Sequence, residues 1–161
     1  MSIDDLEWSH VGGYVSCDTA CVAFVDAAVL DTPDDLKPER LGNEGKVDRL
    51  RIGRHDVTAL RTGEDNDYPC EVALSADGTL LAARLEFVDG VAEVEGRWRP
   101  IGAVEITSGR MLACDPYVLQ SSTGYVVLDA AAGRYRLEAF DRVVDGVVTD
   151  NLGLRAIRIG S

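Results

Sequence analysis

The chain is 161 residues long, with 46% hydrophobic, 27% charged and 6% aromatic residues and a formal net charge of −12. This composition is that of a globular protein, and a chain of this size buries about 70% of its extended surface, so a core forms without metal or disulfide support. No stretch reaches the roughly 20 apolar residues of a membrane helix, and a surface this acidic repels phosphate backbones. We therefore expect neither a membrane nor a nucleic-acid partner.

Alternation of apolar and polar residues, interrupted by Gly, Asp or Asn, dominates the chain and predicts β-strands. In chain order the predicted strands are 11–17, 21–26, 47–53, 55–62, 68–75, 79–88, 91–98, 101–107, 110–114, 124–128, 134–140, 143–148 and 154–159. Asp77-Gly78, Asp89-Gly90 and Asp145-Gly146 mark predicted hairpin turns. Thr32-Pro33, followed by two acids, predicts one short helix near 33–42, with a surface loop as the alternative.

Two parts of the chain resemble each other, which predicts an internal duplication. Thr19 aligns with Ser108, Ala20 with Gly109 and Asp26 with Asp115 at equal spacing. Later in each half, a strand led by Tyr68 or Tyr135 is followed by an Asp-Gly turn, and a closing strand matches Leu85-Glu86-Phe87 with Ile157-Arg158-Ile159. We predict an all-β protein of two sandwich- or barrel-like pseudo-repeats, residues 1–90 and 91–161, sharing a core. Chance alternation in an all-β chain is the alternative.

Residues 106–116, Ile-Thr-Ser-Gly-Arg-Met-Leu-Ala-Cys-Asp-Pro, precede a Tyr-led segment at 132–135, Ala-Gly-Arg-Tyr. A Ser-Gly pair, a short apolar strand, Asp-Pro and a Tyr-led strand in this order resemble the bacterial family catalogued as domain of unknown function 4241. The first half carries an echo of these motifs at 18–20, 26–27 and 65–69, where Ala20 replaces the Gly and Ala27 the Pro. The resemblance implies a β-rich domain and names no reaction.

Asp26 and Asp115 are the acids of greatest interest, because each follows an apolar strand at an equivalent place in the two halves. A carboxylate at the end of a strand accepts hydrogen bonds from backbone amides and stabilises a turn. If the two halves face each other, the same pair forms a paired-carboxylate site, in which each acid changes the pKa of the other. The structural role is the favoured interpretation, and catalysis or binding by Asp26 and Asp115 is the alternative.

Other candidates are weaker. Ser108 and Arg110 lie beside Asp115 in the sequence and are candidate binding residues, although a hairpin turn explains Ser108-Gly109 without chemistry. Glu64, Asp65 and Asp67 concentrate oxygen ligands that suit a hard cation, with a solvated acidic turn as the alternative. His10 and His55 are the only histidines available as bases.

The four cysteines, Cys17, Cys21, Cys70 and Cys114, lack the paired spacing of a zinc site and are expected to be buried thiols, with a Cys17–Cys21 bridge as the alternative. We therefore expect no cofactor. The acidic N-terminal sequence is unlike a signal peptide, which favours the cytoplasm.

Residues 1–88 hold 18 Asp or Glu against 8 Lys or Arg, so the negative charge lies mainly in the first half. Such a surface attracts a basic protein partner, as in an antitoxin-like or immunity-type protein, and the alternative is that it only keeps the protein in solution. The sequence thus favours a non-catalytic cytoplasmic module that binds a partner or ligand. The alternatives are a small hydrolase or carbohydrate-acting enzyme using paired carboxylates, and a β protein that binds a small ligand in the cleft between its halves or a cation at the Glu64–Asp67 loop.

Overall fold

The computed structural model describes residues 3–31, 36–120 and 124–160 and confirms an all-β protein. Its strands are β1 (Ser9–Cys17), β2 (Cys21–Asp26), β3 (Glu39–Glu44), β4 (Val47–Ile52), β5 (His55–Arg61), β6 (Asn66–Leu74), β7 (Leu80–Glu86), β8 (Gly96–Ile106), β9 (Arg110–Cys114), β10 (Val126–Asp129), β11 (Gly133–Val144) and β12 (Val147–Gly160). Helical structure in the described residues is confined to short 3₁₀ turns, among them Ile3–Asp5, Ala27–Asp31 and Val91–Glu93.

The strands form two six-stranded antiparallel sheets. The first sheet has the order β1-β6-β7-β12-β11-β8, and the second has the order β10-β9-β2-β5-β4-β3. In the first sheet, three strands from the first half mirror three from the second about the central β7–β12 pair. In the second sheet, β2 and β9 form the corresponding pair, flanked by β5 and β10. Each sheet therefore contains strands from both predicted halves, and the halves share the layers instead of forming separate sandwiches.

Both edge strands of the first sheet approach the second sheet closely at a glycine, β1 at the edge strand β10 and β8 at the inner strand β5. A Cβ on Gly13 in β1 would lie 3.1 Å from Val126 in β10, and one on Gly102 in β8 would lie 2.9 Å from the Oγ1 atom of Thr58 in β5. The strands approach this closely because glycine has no side chain at either position. The hairpin of β3 and β4 extends beyond this closure, and the described strands of the second half include no counterpart to it.

Two hydrophobic clusters contain most of the buried apolar side chains. The larger lies between the sheets and includes Tyr68, Leu85 and Leu154 from the first sheet and Phe24 and Met111 from the second. The other lies on the outer face of the second sheet, where the segments after β2 and β9 cover it. Burial of each large side chain contributes about 1.5–3 kcal/mol, so both clusters bind the halves to each other.

The Tyr residues that begin the two matched strands form equivalent contacts. The hydroxyl of Tyr68 donates to the carbonyl of Glu64 at 2.9 Å, and that of Tyr135 donates to the carbonyl of Ala131 at 2.8 Å. Both rings are buried. Each tyrosine thus fixes the loop that precedes its own strand.

The structure corrects four local predictions. Asp89-Gly90 does not form a hairpin, because β7 pairs with β6 and β12 whereas β8 pairs with β11. The helix predicted near 33–42 is wrong at its C-terminal end, because Glu39–Glu44 form strand β3; residues 32–35 lie outside the described residues. The strand predicted at 91–98 begins only at Gly96, since Val91–Glu93 form a 3₁₀ turn. The strand predicted at 143–148 is interrupted by the turn at Asp145-Gly146, whose φ angles are +51° and +79°.

Candidate functional site

Asp26 lies at the end of β2 and holds the turn between β8 and β9. Its carboxylate accepts the backbone N–H of Thr107 at 2.8 Å, the Thr107 hydroxyl at 2.9 Å and the Ser108 hydroxyl. It also accepts the N–H of Ala28 at 3.0 Å. Burial alone would raise the pKa of Asp26, but the hydrogen bonds from Ser108, Ala28 and Thr107 outweigh it and lower the pKa to about 2.

Asp115 follows β9 and holds the turn between β1 and β2. Its carboxylate accepts the N–H groups of Asp18 at 2.9 Å and Thr19 at 2.7 Å, and the Thr19 hydroxyl at 2.8 Å. It also accepts the N–H of Tyr117 at 3.1 Å. The donors and acceptors of the two sites correspond at a constant offset in residue number, and each half supplies the carboxylate that holds a turn of the other.

These contacts separate the two acids. Asp26 pairs with Met111 across the β2–β9 ladder and Cys114 pairs with Ala23, so Asp26 and Asp115 lie four residues apart along the ladder. At about 3.3 Å per residue their Cα atoms are about 13 Å apart along the strand direction, and each carboxylate is engaged by its own turn. The structure does not bring the two carboxylates into one site, so the hydrolase hypothesis loses its geometric basis.

Ser108 and Arg110 belong to the turn that Asp26 holds. The Ser108 hydroxyl donates to Asp26 and accepts the N–H of Arg110 at 3.3 Å, and both residues are exposed. Ser108 is therefore held by a carboxylate directly, without an intervening base. The turn needs a positive φ at Gly109, which is +79°; in the other half Ala20 occupies this place with φ +55°.

Glu64, Asp65 and Asp67 lie at the exposed connection between β5 and β6. Among the described residues no three Asp, Glu, His or Cys side chains form a group suited to a metal ion, so this loop does not assemble the predicted cation site. Because Cys17 pairs with Asn66 and Ser16 with Asp67, Asp18 lies near the same loop. Asp67 and Asp89 line one shallow cleft. We call these five exposed acids the acidic end.

His55 lines a different cleft, of about 370 Å³, together with Asp26, Asp56 and Thr107. No Ser or Cys is among the described residues that line it, and Thr107 donates its hydroxyl to Asp26. The four cysteines are buried free thiols, as expected, and burial raises the pKa of each.

The largest cleft described lies on the outer face of the first sheet, at the β7–β12 boundary between the halves. Its volume is about 580 Å³, within the range of small-molecule sites. We call it the tryptophan–arginine cleft, and it is lined by Ile3, Trp8, Arg84, Glu86, Gly90, Val91, Ala92, Val94, Gly96, Trp98, Phe140 and Arg155. Both tryptophans of the chain are in this lining.

Each arginine of the tryptophan–arginine cleft belongs to a Glu-Arg-Trp stack, whose glutamate lies outside the cleft lining. Arg84 donates from Nε to Glu71 at 3.0 Å, and its guanidinium lies 4.2 Å from the centre of the Trp8 ring. Arg155 donates from Nε to Glu138 at 2.7 Å and lies 4.1 Å from the centre of the Trp98 ring.

Arg84 and Arg155 pair directly across β7 and β12, so the two stacks meet at the boundary between the halves.

Among the described residues that line the cleft, Glu86 is the only carboxylate. It lies 3.3 Å from the guanidinium of Arg84, and its side chain is one-fifth exposed. Burial raises its pKa, against the opposing effect of the Arg84 charge.

The residues of this cleft were not among the predicted site residues. The sequence did contain a signal for the two glutamates that pair with the arginines, because Tyr-x-x-Glu occurs at both Tyr68–Glu71 and Tyr135–Glu138. The two arginines come together only through the pairing of β7 with β12.

Comparison of the chain with protein-family models, curated proteins and solved structures finds no match. The resemblance to the family of domain of unknown function 4241 therefore stays a prediction. In the described part of the chain, no helix has the length and apolar character needed to cross a bilayer.

Proposed function

We propose that this chain is a non-catalytic, cytoplasmic binding protein whose ligand occupies the tryptophan–arginine cleft. The observation that carries the proposal is the cleft itself. It combines about 580 Å³ of volume, an apolar wall with two tryptophans, and three charged groups on its floor. Small-molecule sites have this character, with few polar groups set among apolar and aromatic side chains. The four free thiols suit a reducing compartment.

The carboxylates considered for catalysis support a binding role. Asp26 accepts hydrogen bonds from three residues and its pKa is about 2, so it remains ionised at neutral pH and is not suited to act as a general acid. Asp115 is held in the same way by the other turn. Both acids perform a structural task that accounts for their position without a reaction.

The test is a fragment screen read by the indole N–H signals of Trp8 and Trp98 in ¹H–¹⁵N correlation spectra. We expect fragments that bind to shift both signals, because both rings line the cleft. A matched variant, Ala92→Phe, places a bulky side chain in the cleft from an exposed position and leaves the arginines intact. We expect it to abolish the shifts. The proposal fails if a diverse library shifts neither indole signal, or if Ala92→Phe leaves the shifts unchanged.

The acidic end supports a second candidate function, the capture of a basic protein partner. Asp18, Glu64, Asp65, Asp67 and Asp89 are exposed, and none of them forms an ion pair with another described residue. Uncompensated like charges at one end of a molecule accelerate association with a basic surface and make it dependent on salt. An immunity-type role would use such an attraction.

This candidate is tested by the rate of association with an oligolysine peptide across ionic strength. We expect Asp18→Asn, Asp65→Asn and Asp67→Asn together to slow association and flatten its salt dependence. The control combines Glu39→Gln, Glu95→Gln and Asp145→Asn, which remove the same charge from exposed positions elsewhere. Equal effects of the two triple variants would show that only net charge matters and would eliminate the acidic end as a site.

A further inference from the structure

We infer that the tryptophan–arginine cleft binds an uncharged ligand that donates a hydrogen bond to Glu86. The body of this ligand is aromatic or branched aliphatic and lies against Val91, Trp98 and Phe140. The inference rests on the proposed binding function and assigns its ligand class. It follows from the balance of charge around the two arginines, the acceptor that Glu86 presents in the cleft and the chemistry of the wall.

The first arginine of the cleft is already paired with two carboxylates. Arg84 donates from Nε to Glu71 at 3.0 Å, and its guanidinium lies 3.3 Å from Glu86. One face of the same guanidinium lies against the ring of Trp8. The positive charge of Arg84 is therefore neutralised within the protein.

The second arginine is neutralised in the same way. Arg155 donates from Nε to Glu138 at 2.7 Å, and both residues are buried. Glu138 also pairs with Arg136 at 2.9 Å. In these contacts three arginines face three glutamates, so the cleft offers no surplus of positive charge to an anion.

A charged ligand of either sign would disturb this balance. An anion would lie beside the carboxylate of Glu86, which lines the cleft. A cation would have to compete with Arg84 for Glu86 and would lie beside a second guanidinium at Arg155. Because a charge taken out of water without a partner of its own is costly, the lining favours a ligand without net charge.

Glu86 supplies a polar contact that an uncharged ligand can use. Its carboxylate lines the cleft, and its side chain is one-fifth exposed. A carboxylate has about four acceptor positions, and Arg84 and the backbone N–H of Val91 use only part of them. An N–H or O–H group of the ligand can therefore donate to Glu86, and hydrogen bonds to charged groups are the stronger ones.

The rest of the lining accounts for the body of the ligand. Val91 and Phe140 are buried together in a small hydrophobic cluster, with Val94 and Trp98 packed against it. Trp98 and Phe140 meet edge to face at 5.3 Å between ring centres. An aromatic or branched aliphatic group would extend this cluster, because aromatic rings favour edge-to-face and offset contacts.

The experiment compares phenylacetamide, N,N-dimethylphenylacetamide, phenylacetate and phenethylammonium, which share a body and differ in charge or in the ability to donate. Dissociation constants are measured by calorimetry at neutral pH, and the site is checked by the indole signals of Trp8 and Trp98. We expect phenylacetamide to bind about tenfold more tightly than each of the other three, as one hydrogen bond to a charged group provides.

Two variants test whether Glu86 is the acceptor. Glu86→Gln keeps the shape of the side chain and a neutral acceptor, which forms a hydrogen bond of about half the strength. We expect it to reduce the preference for phenylacetamide over N,N-dimethylphenylacetamide from about tenfold to about threefold. Glu71→Gln is the matched control, because Glu71 also pairs with Arg84 but does not line the cleft; we expect it to leave that preference unchanged.

The outcomes distinguish failure of the ligand class from failure of the proposed function. Binding of phenylacetate or phenethylammonium at the indoles as tight as that of phenylacetamide would overturn the uncharged class and leave the binding function standing. This comparison needs no variant. An unchanged amide preference in Glu86→Gln, or an equal loss in Glu71→Gln, would overturn the contact with Glu86. Failure of all four compounds while other fragments shift the indole signals would overturn the ligand class alone, and failure of the fragment screen as well would overturn both.

Discussion

Replacement of Asp26 by Asn tests the crossed arrangement in which each half holds a turn of the other. Asn keeps the shape of the side chain and one acceptor oxygen. It loses the charge, and its amide group faces N–H or O–H donors from Ala28, Thr107 and Ser108. Because Asp26 is only 3% exposed, water cannot replace these lost partners.

The magnitude follows from the low pKa of Asp26. The folded protein lowers it from 3.8 to about 2, which corresponds to about 2 kcal/mol of stability provided by the ionised carboxylate. A depressed pKa stabilises the fold above the unfolded value of 3.8, and this contribution is lost as the pH falls from about 4 towards 2. We therefore expect Asp26→Asn to destabilise the protein by about 2 kcal/mol at pH 7 and by much less near pH 2.

Urea unfolding at a series of pH values measures this difference. Asp56→Asn is the control, because the Asp56 carboxylate is 81% exposed and forms one ion pair, with Arg51 at 3.3 Å; we expect a change below about 0.5 kcal/mol. An Asp26→Asn protein within about 0.5 kcal/mol of the original at pH 7 would refute the reasoning. So would a loss that persists undiminished at low pH, since it would not arise from the ionised carboxylate.

Three further predictions concern local features. Ala20→Gly relieves the left-handed backbone at φ +55° and should stabilise the protein by about 0.5–1 kcal/mol, measured as a higher Tm; a lower Tm would contradict this. Tyr117→Phe removes the hydroxyl that donates to buried Asp48 at 2.7 Å and should cost about 1–3 kcal/mol in urea unfolding, whereas Tyr14→Phe, at an exposed ring, should cost almost nothing. The four buried thiols should react with a disulfide reagent only at the rate of unfolding; rapid labelling of the folded protein would count against their burial.

Most strands were predictable because one or both of their faces contribute to a core. The segments 21–26 and 110–114 were predicted with the bounds that the structure shows, since every residue of β2 and four of five in β9 are buried. Strand β3 was missed because none of its residues is buried, and no apolar pattern marks it. At Val91 an apolar side chain is buried against Phe140 and Leu152 from a 3₁₀ turn, so burial there did not indicate a strand.

Of the candidate functional residues, the two turn-holding aspartates were predictable from the sequence and the two cleft arginines were not. Asp26 and Asp115 were found because the same turn chemistry occurs twice in the sequence. Arg84 and Arg155 are far apart in the chain and each reads as an exposed charge on an amphipathic strand. Their opposition depends on which strands pair at the centre of the sheet, and local sequence does not specify that choice.

The placement of the last strand has a consequence for biosynthesis. In the first sheet β12 lies between β7 and β11, and in the second sheet β9 lies between β2 and β10. A nascent chain released up to β11 therefore presents the unpaired edge of β7, with its backbone hydrogen-bonding groups unsatisfied, until β12 emerges from the ribosome. Long-range pairing of this kind folds slowly and leaves intermediates prone to association. We expect the native sheet to close only after translation has passed β12, and truncated chains to depend on chaperones for solubility.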